Sequence, residues 1–400
     1  MGNIIPDNTV INKCLDVLNV VKYRCPFKDH GAKKLLTGQA VTLLIKAQLE
    51  KKESLESITE GLQSEEDLQH FIKLDTIHAS TIYRKLESLS TDYLKQLYQD
   101  LIEKIGTKYA NKQGLPNIGV LNIIDSTEIS LPARSKWAYC SKDKNGVKVH
   151  TRLALLDETV KLADKIISST AAVSDQEATE FLVLANLATY VFDRGYINYN
   201  LYYEWDLKDI PFVARVKANS KFTIIHEQLF EENSAVGRDV DVEVRVPKTD
   251  KVFNLRLIEY QDDQKRKYRV VTNRWDLKAS DIAEIYRLRW EIESFFKWIK
   301  QHLNVVKRFN TKPNVVWNQI YIIMIAYALC EWVKLLTGTS KTLWEVLKKL
   351  KLYWFKSWQT FIDVLNRKSN RTSKGRRKRG KPGRPRKKPK KYQAQKIINP

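Results

Sequence analysis

Cysteine is scarce in this 400-residue chain: there are four, and none falls in a CxxC or CxxH spacing. That excludes the usual zinc-ligand patterns. It also excludes a disulfide-held fold and points to a reducing compartment. The opening MGNIIP has no cationic stretch followed by an apolar one, so no secretory leader is expected and a cytoplasmic location is. Histidine is limited to six scattered residues, with no pairing that suggests a nucleophile triad. Acids are missing after Asp363. Long apolar runs are rare as well. The exception is Pro313 to Cys330, uncharged for 18 residues, at the lower limit for a membrane-spanning helix. It holds Asn314, Asn318 and Gln319, and Glu331 follows. We read it as a buried core helix and expect no membrane partner.

Hydrophobic residues make up 43% of the sequence, which rules out wholesale disorder. The length suggests two or three domains at about 150 residues each. Formal charge is +23, and sixteen of the lysines and arginines lie in the 37 residues from Val364 to Pro400, leaving +7 for the rest (23 less 16). A mildly basic body with a strongly basic tail points to a polyanionic partner, a nucleic acid or an anionic membrane surface.

Residues 35–110 are helical in pattern and nearly free of glycine and proline, with stripes such as Leu86, Leu89, Tyr93, Leu94 and Leu97. Within them TIHASTIYRKL (Thr76 to Leu86) reads either as the second helix of a helix-turn-helix or as an ordinary solvated helix. On the first reading Ser80, Thr81, Tyr83, Arg84 and Lys85 would meet DNA. After Gly114-Leu-Pro116 the texture changes. Ile118 to Ile124, Gly146 to Leu156 and Leu162 to Ser169 read as a three-strand meander. A helix from Asp175 to Leu187, capped by Ser174, and a strand Tyr190 to Phe192 follow. Phe212 to Asn273 is mostly strand. Ser280 then caps a long helix from Asp281 to about Leu303, and further helices span Val316 to Leu336 and Trp344 to Leu365.

Three acids stand out by position. Asp125 and Asp193 each follow an apolar strand, which suits a side chain emerging from a sheet edge, or simply a turn or cap. Glu293 sits on the long helix. At about 100° per residue, Tyr286, Arg289, Glu293 and Lys300 share an arc of roughly 60° beside the apolar stripe of Ile285, Ile292, Phe296, Ile299 and Leu303. Helix geometry alone allows either a site facing a phosphate backbone or a solvated charged face.

The pattern Tyr286-x2-Arg289-x3-Glu293-x6-Lys300 resembles the YREK signature of bacterial insertion-sequence transposases of the IS-four family. IIDSTEI around Asp125 and FDRGY around Asp193 resemble that family's two aspartate motifs, and the separations of 68 and 100 residues suit it. The resemblance covers about Ile118 to Leu336. It implies an α/β ribonuclease-H-like catalytic core with a β-rich insertion; the all-helical N-terminal domain agrees with the family more loosely, and the basic C-terminal tail, expected to be disordered, lies outside the resemblance. The boundaries expected are residues 1–115 for the helical, DNA-binding domain and 116–345 for the core, with 211–275 as the insertion. A helical segment at 346–366 and the tail at 367–400 follow.

The resemblance further implies Asp125, Asp193 and Glu293 as catalytic metal ligands, with Tyr286, Arg289 and Lys300 on DNA. Three converging carboxylates would repel one another without a counter-charge. Two Mg²⁺ ions, or Mn²⁺ in their place, remove that problem and serve in-line displacement at phosphorus. The function implied is cut-and-paste excision and strand transfer through a hairpin at the element ends. It would be carried out by a homodimer on double-stranded DNA, which supplies the terminal inverted repeats and the target. The alternative is a catalytically silent, domesticated transposase that binds DNA sequence-specifically. Relatives also hold a flipped base on an aromatic ring. Trp275 reads as that ring or as a core residue, and Lys136, Lys148 and His150 as further DNA contacts or as structural residues.

In the tail, Lys374 to Lys391 packs twelve cations into eighteen residues. Its centre, Pro382-Gly383-Arg384-Pro385-Arg386-Lys387, resembles an AT-hook, whose Arg384 and Arg386 would enter a narrow minor groove. The other reading is a polycation that binds any duplex by counterion release. On either reading, deleting Lys374 to Pro400 should flatten the dependence of DNA affinity on salt. An unchanged slope would remove the tail from the interface.

Overall fold

The computed structural model describes residues 8–367, apart from 21–24, 26–28, 33, 143, 186–187, 231–234 and 306–308. Arg384, Arg386 and the rest of the tail lie outside the described residues.

Six helices open the chain: α1 (Val10–Asp16), α2 (Thr37–Glu50), α3 (Leu55–Gln63), α4 (Glu66–Ile72), α5 (Ala79–Ser88) and α6 (Thr91–Lys108). Polar caps set the starts of α3, α5 and α6, where Ser54 accepts from Ser57 N–H, His78 Nδ1 from Ser80 N–H and Ser90 from Tyr93 N–H. The strands β1 (Leu121–Leu131), β2 (Tyr139–Ser141), β3 (Lys144–Leu155) and β4 (Lys161–Thr170) follow. Next come α7 (Asp175–Thr179), β5 (Thr189–Phe192), α8 (Tyr199–Leu207) and β6 (Phe212–Arg215). Four further strands are β7 (Thr223–Glu227), β8 (Val236–Arg245), β9 (Val252–Gln261) and β10 (Lys267–Thr272). The chain then turns helical through α9 (Ala279–Arg287), α10 (Trp290–His302), α11 (Pro313–Thr337), α12 (Leu343–Tyr353) and α13 (Trp358–Asn366).

Among the described residues, ten strands join one mixed sheet. Across its first half the order is β4-β3-β1-β5-β6. There β3 is antiparallel to both neighbours, and β1, β5 and β6 are mutually parallel. This is the arrangement of a ribonuclease-H-like core, and it fits the expected fold. The strand β6, read from sequence as the opening of the insertion, completes that order by pairing with β5. β10, β9, β8 and β7 then extend the same sheet in antiparallel fashion. The β-rich stretch is therefore continuous with the core sheet.

Each face of the sheet has its own apolar layer, and alternation along β1 serves both. Ile123 joins the larger core, with Leu44, Leu62, Leu101, Ile325 and Leu329. Ile124 points the other way, to Phe192, Tyr202, Phe212, Val242 and Leu255. At the centre of the larger core lies α11, the one helix among the described residues long and apolar enough to cross a membrane. It is buried against α2, α5, α6 and α12, as its amides explain. Asn318 Nδ2 donates to Leu86 O (2.7 Å) and Leu89 O (3.0 Å), and Gln319 Nε2 donates to Asn304 O (3.3 Å). Buried amides need such partners, and these fix α11 to α5 and to the chain after α10.

Four local expectations change. The helix after Ser174 ends at Thr179, because the following turns close over three residues, as in Leu182 N–H to Thr179 O. The long helix begins one residue before Ser280, with Lys278 as its cap, and breaks at Leu288–Arg289 into α9 and α10. The last helix is also two, because the chain between α12 and α13 pairs with the N-terminal segment. Val10 N–H donates to Lys356 O, and Trp358 N–H to Asn8 O. Finally, Lys85 on α5 is buried in an ion pair with Asp29 and is withdrawn from any DNA-facing role. Ser80 and Arg84 on the same helix are exposed.

Candidate active site

The register of the central strands brings the first two acids together. β1 and β5 pair in parallel from Leu121 with Thr189 to Ile124 with Phe192. Asp125 and Asp193 are the next residues on each strand, so they leave the sheet side by side. Asp125 does not end its strand, contrary to the sequence reading. β1 runs on to Leu131, paired there with β3 alone. Asp193 does end β5, and a short turn over Arg194–Tyr196 follows.

The break between α9 and α10 brings in the helical residues. Arg289 N–H donates to Tyr286 O, Glu291 N–H to Leu288 O and Ile292 N–H to Arg289 O, each over three residues. One tight turn thus separates two α-helical stretches, a feature often found at functional positions. Tyr286 OH donates to Asp193 Oδ1 at 2.9 Å. Arg289 Nη1 donates to both Asp125 Oδ2 and Glu293 Oε1, each at 3.3 Å. Five of the residues picked out from sequence therefore meet: Asp125, Asp193, Tyr286, Arg289 and Glu293. Lys300 lies on the same face of α10, about two turns, or roughly 10 Å, further along.

The electrostatics follow from burial and charge. Burial pushes the Asp125 carboxyl up to about 6, with Glu293 and Asp193 adding to the effect against the Ser126 N–H and Arg289. Burial would raise Asp193 too. It ends below the usual carboxylate range, because Arg194 N–H, Arg289, Tyr286 and Arg215 stabilise its anion. The Tyr286 phenol is raised, first by burial and then by the Asp193 charge, so it stays protonated and donates. The Arg289 side chain is 6% exposed, and its Nε is buried with no hydrogen-bond partner. A guanidinium with a free donor beside three acids can take an oxyanion without rearranging the sheet.

Three carboxylates with only oxygen donors suit a hard divalent cation. Among the described residues no trio of acids, histidines or cysteines stands ready to hold one. The place between Asp125 and Glu293 is taken by the Arg289 guanidinium, which supplies the counter-charge itself.

Several neighbours were not picked out from sequence. Arg215, the last residue of β6, lies 3.8 Å from Asp193 Oδ1 and over the Tyr268 ring. Its position at a strand end beside Asp193 is the same signal that marked the aspartates. Trp290, directly after Arg289, is 51% exposed and stacks its ring against that guanidinium. With Tyr260, Tyr268 and Tyr286 it lines a cavity of about 310 Å³ that also takes in Asp262, Asp263, Glu284 and Arg287, and that reaches the candidate acids only through Tyr286. Trp275 is half exposed, so the core alternative for it does not hold. His150 is fully buried against Ser169 and Asp175, and Lys148 pairs with Asp175. Neither is a free DNA contact, whereas Lys136 is exposed.

A family described as "Transposase DDE domain" matches residues 118–329. Named relatives agree. A protein named as a transposase for insertion sequence element IS5377 from Geobacillus stearothermophilus is 30% identical over 265 residues, 65% of this chain and 68% of that one. The transposase y4zB of Sinorhizobium fredii is 30% identical over 52% of this chain and 60% of its own. A protein named for the element IS4SA, from Synechocystis, is 26% identical over 35% of this chain and 39% of its own. With this match across half its length and the aspartates side by side on a mixed sheet, the chain belongs to the bacterial insertion-sequence transposases with a DDE domain.

Proposed function

We propose that this chain excises and reinserts its own insertion sequence by metal-dependent strand cleavage and transfer, with Asp125, Asp193 and Glu293 as the catalytic carboxylates. The observation that carries the reading is that Arg289 bonds both Asp125 and Glu293 while Tyr286, three residues earlier, bonds Asp193. When bound, divalent cations (two Mg²⁺, or Mn²⁺ in their place) would be held by these three acids. They would neutralise them, activate an oxygen nucleophile and stabilise the leaving oxygen.

The chain's own residues supply the rest. Arg289, displaced from the carboxylates, offers its free Nε and its fork to a phosphate at the cut. Arg215 and Lys300 add positive charge on either side. Tyr286 keeps its proton and holds Asp193 in place, and can share that proton with a phosphate oxygen. The aromatic cavity suits an unstacked base, since ring stacking contributes about 1–3 kcal/mol per base. Such a site serves a hairpin pathway, in which a freed 3′-hydroxyl attacks the opposite strand. The helical region within residues 1–115 and the tail would hold the duplex. A homodimer would bridge the two element ends, and the chain would work in the cytoplasm.

The test is strand cleavage of a labelled duplex carrying the element's own end, with Mg²⁺ and with EDTA. Metal-dependent cutting at the end is expected, with a hairpin product if that pathway is used. Binding without cutting by the unaltered chain, when both ends can pair, would favour a silent DNA-binding protein instead.

A further inference from the structure

Asp175, the first residue of α7, has no part in the chemistry above, yet its carboxylate touches three elements of the site. Its Oδ1 accepts from Ser126 Oγ at 2.8 Å and from Lys148 Nζ at 3.2 Å, and it faces His150 Nδ1 at 3.5 Å. Its Oδ2 would lie 3.6 Å from a Cβ at position 195. The carboxylate therefore lies beside Gly195 of the FDRGY turn, with room left between them. The next residue pins the same turn, Gln176 Nε2 donating to Ile197 O at 2.8 Å.

Ser126 carries the connection onward, since its N–H donates to Asp125 Oδ1 at 2.8 Å. Lys148, Asp175 and the Ser126 hydroxyl are thus hydrogen-bonded in series, and the backbone N–H of the same serine bonds Asp125. Helix capping does not account for it. Ser174 and Glu177 form the capping box of α7 between themselves, leaving the Asp175 side chain free for the sheet.

We propose that Asp175 is a positioning residue for Asp125, fixing the direction of its carboxylate through Ser126, while Gln176 beside it holds the turn after Asp193. This rests on the reading of Asp125 and Asp193 as metal-holding carboxylates. Partners of that kind around metal ligands change affinity or activity by about 10–100-fold when removed.

The experiment uses the full chain as Asp175→Ala, Asp175→Asn, Ser126→Ala and the double variant Asp175→Ala/Ser126→Ala, with Asp125→Asn and Glu293→Gln as references. End-DNA cleavage gives kcat and KM, calorimetry gives Mn²⁺ affinity without DNA, and thermal unfolding checks the fold. Asp175→Ala is expected to lower kcat and Mn²⁺ affinity by about 10–100-fold with KM for DNA nearly unchanged. Asp175→Asn, which still accepts from Ser126, recovers most of that loss. The double variant is no worse than the worse single one, because both remove the same Asp175–Ser126 hydrogen bond. Unchanged kcat and Mn²⁺ affinity in Asp175→Ala, no recovery by Asn, or additive losses would each overturn the role. If the reference variants cleave like the unaltered chain, the site reading fails and the inference with it. If they are inactive while Asp175→Ala is not impaired, only the positioning role falls.

Discussion

Glu293→Gln is expected to reduce end cleavage by about 10³-fold or more while leaving DNA affinity within about twofold. The reasoning is electrostatic. Glutamine has the same shape and can still accept from Arg289 Nη1, which lies 3.3 Å from the carboxylate. What it lacks is the charge needed to hold a divalent cation. Stabilisation of charge by a bound ion amounts to several kcal/mol, and about 1.4 kcal/mol corresponds to a decade in rate. Folding should hardly respond, because the side chain is 44% exposed and its ion pair is a local one, with Arg289 at the start of α10. DNA affinity should not fall either, since the change removes a negative charge near the phosphates. Gel-shift and cleavage assays on the same duplex measure both. Cleavage retained within about tenfold would exclude Glu293 as a catalytic carboxylate.

The second large effect is on stability. Asp239→Ala is expected to destabilise the chain by about 3–5 kcal/mol, because it strands a buried guanidinium. Asp239 on β8 is fully buried and takes both Arg256 Nε (2.8 Å) and Nη2 (2.6 Å) in a two-pronged pair. Arg256 on β9 also donates to Leu277 O and Arg274 O, in the segment leading into α9. The pair therefore fastens the outer half of the sheet to the helix that carries Tyr286. Denaturant unfolding followed by circular dichroism measures the loss, and cleavage should fall with it as the segment loosens. The double replacement Asp239→Leu/Arg256→Met should recover much of the stability, since an apolar pair leaves no unpaired charge. A loss below about 1 kcal/mol in Asp239→Ala would mean that water reaches Arg256.

Most strands and helices were legible in the sequence because their patterns are local. The β-branched runs of β1 and β5, the alternation that opens β3 and the uncharged length of α11 each declare their element. The site acids were legible by position, and the resemblance gave them an order and a spacing. The misses have a common cause. Nothing in the periodicity of 281–303 signals the tight turn at Arg289, which depends on what Tyr286 and Arg289 reach for across the sheet. Lys85 reads as a DNA contact or as part of a solvated helix, but Asp29 lies 56 residues away and only the folded chain brings it near. Asp175 reads only as the first residue of a helix, and its partners Ser126 and Lys148 are likewise far away in the chain.

By itself, then, the sequence determined most element types, the spacing of the three candidate acids along the chain and the basic tail, all of which can be read from the order of residues alone. Only the tertiary structure decided that β6 closes the core order, that the later strands extend the same sheet, and that Arg289, Arg215 and Asp175 face the acids. Those outcomes rest on strand register and on pairing between residues far apart in the chain, which local composition does not encode.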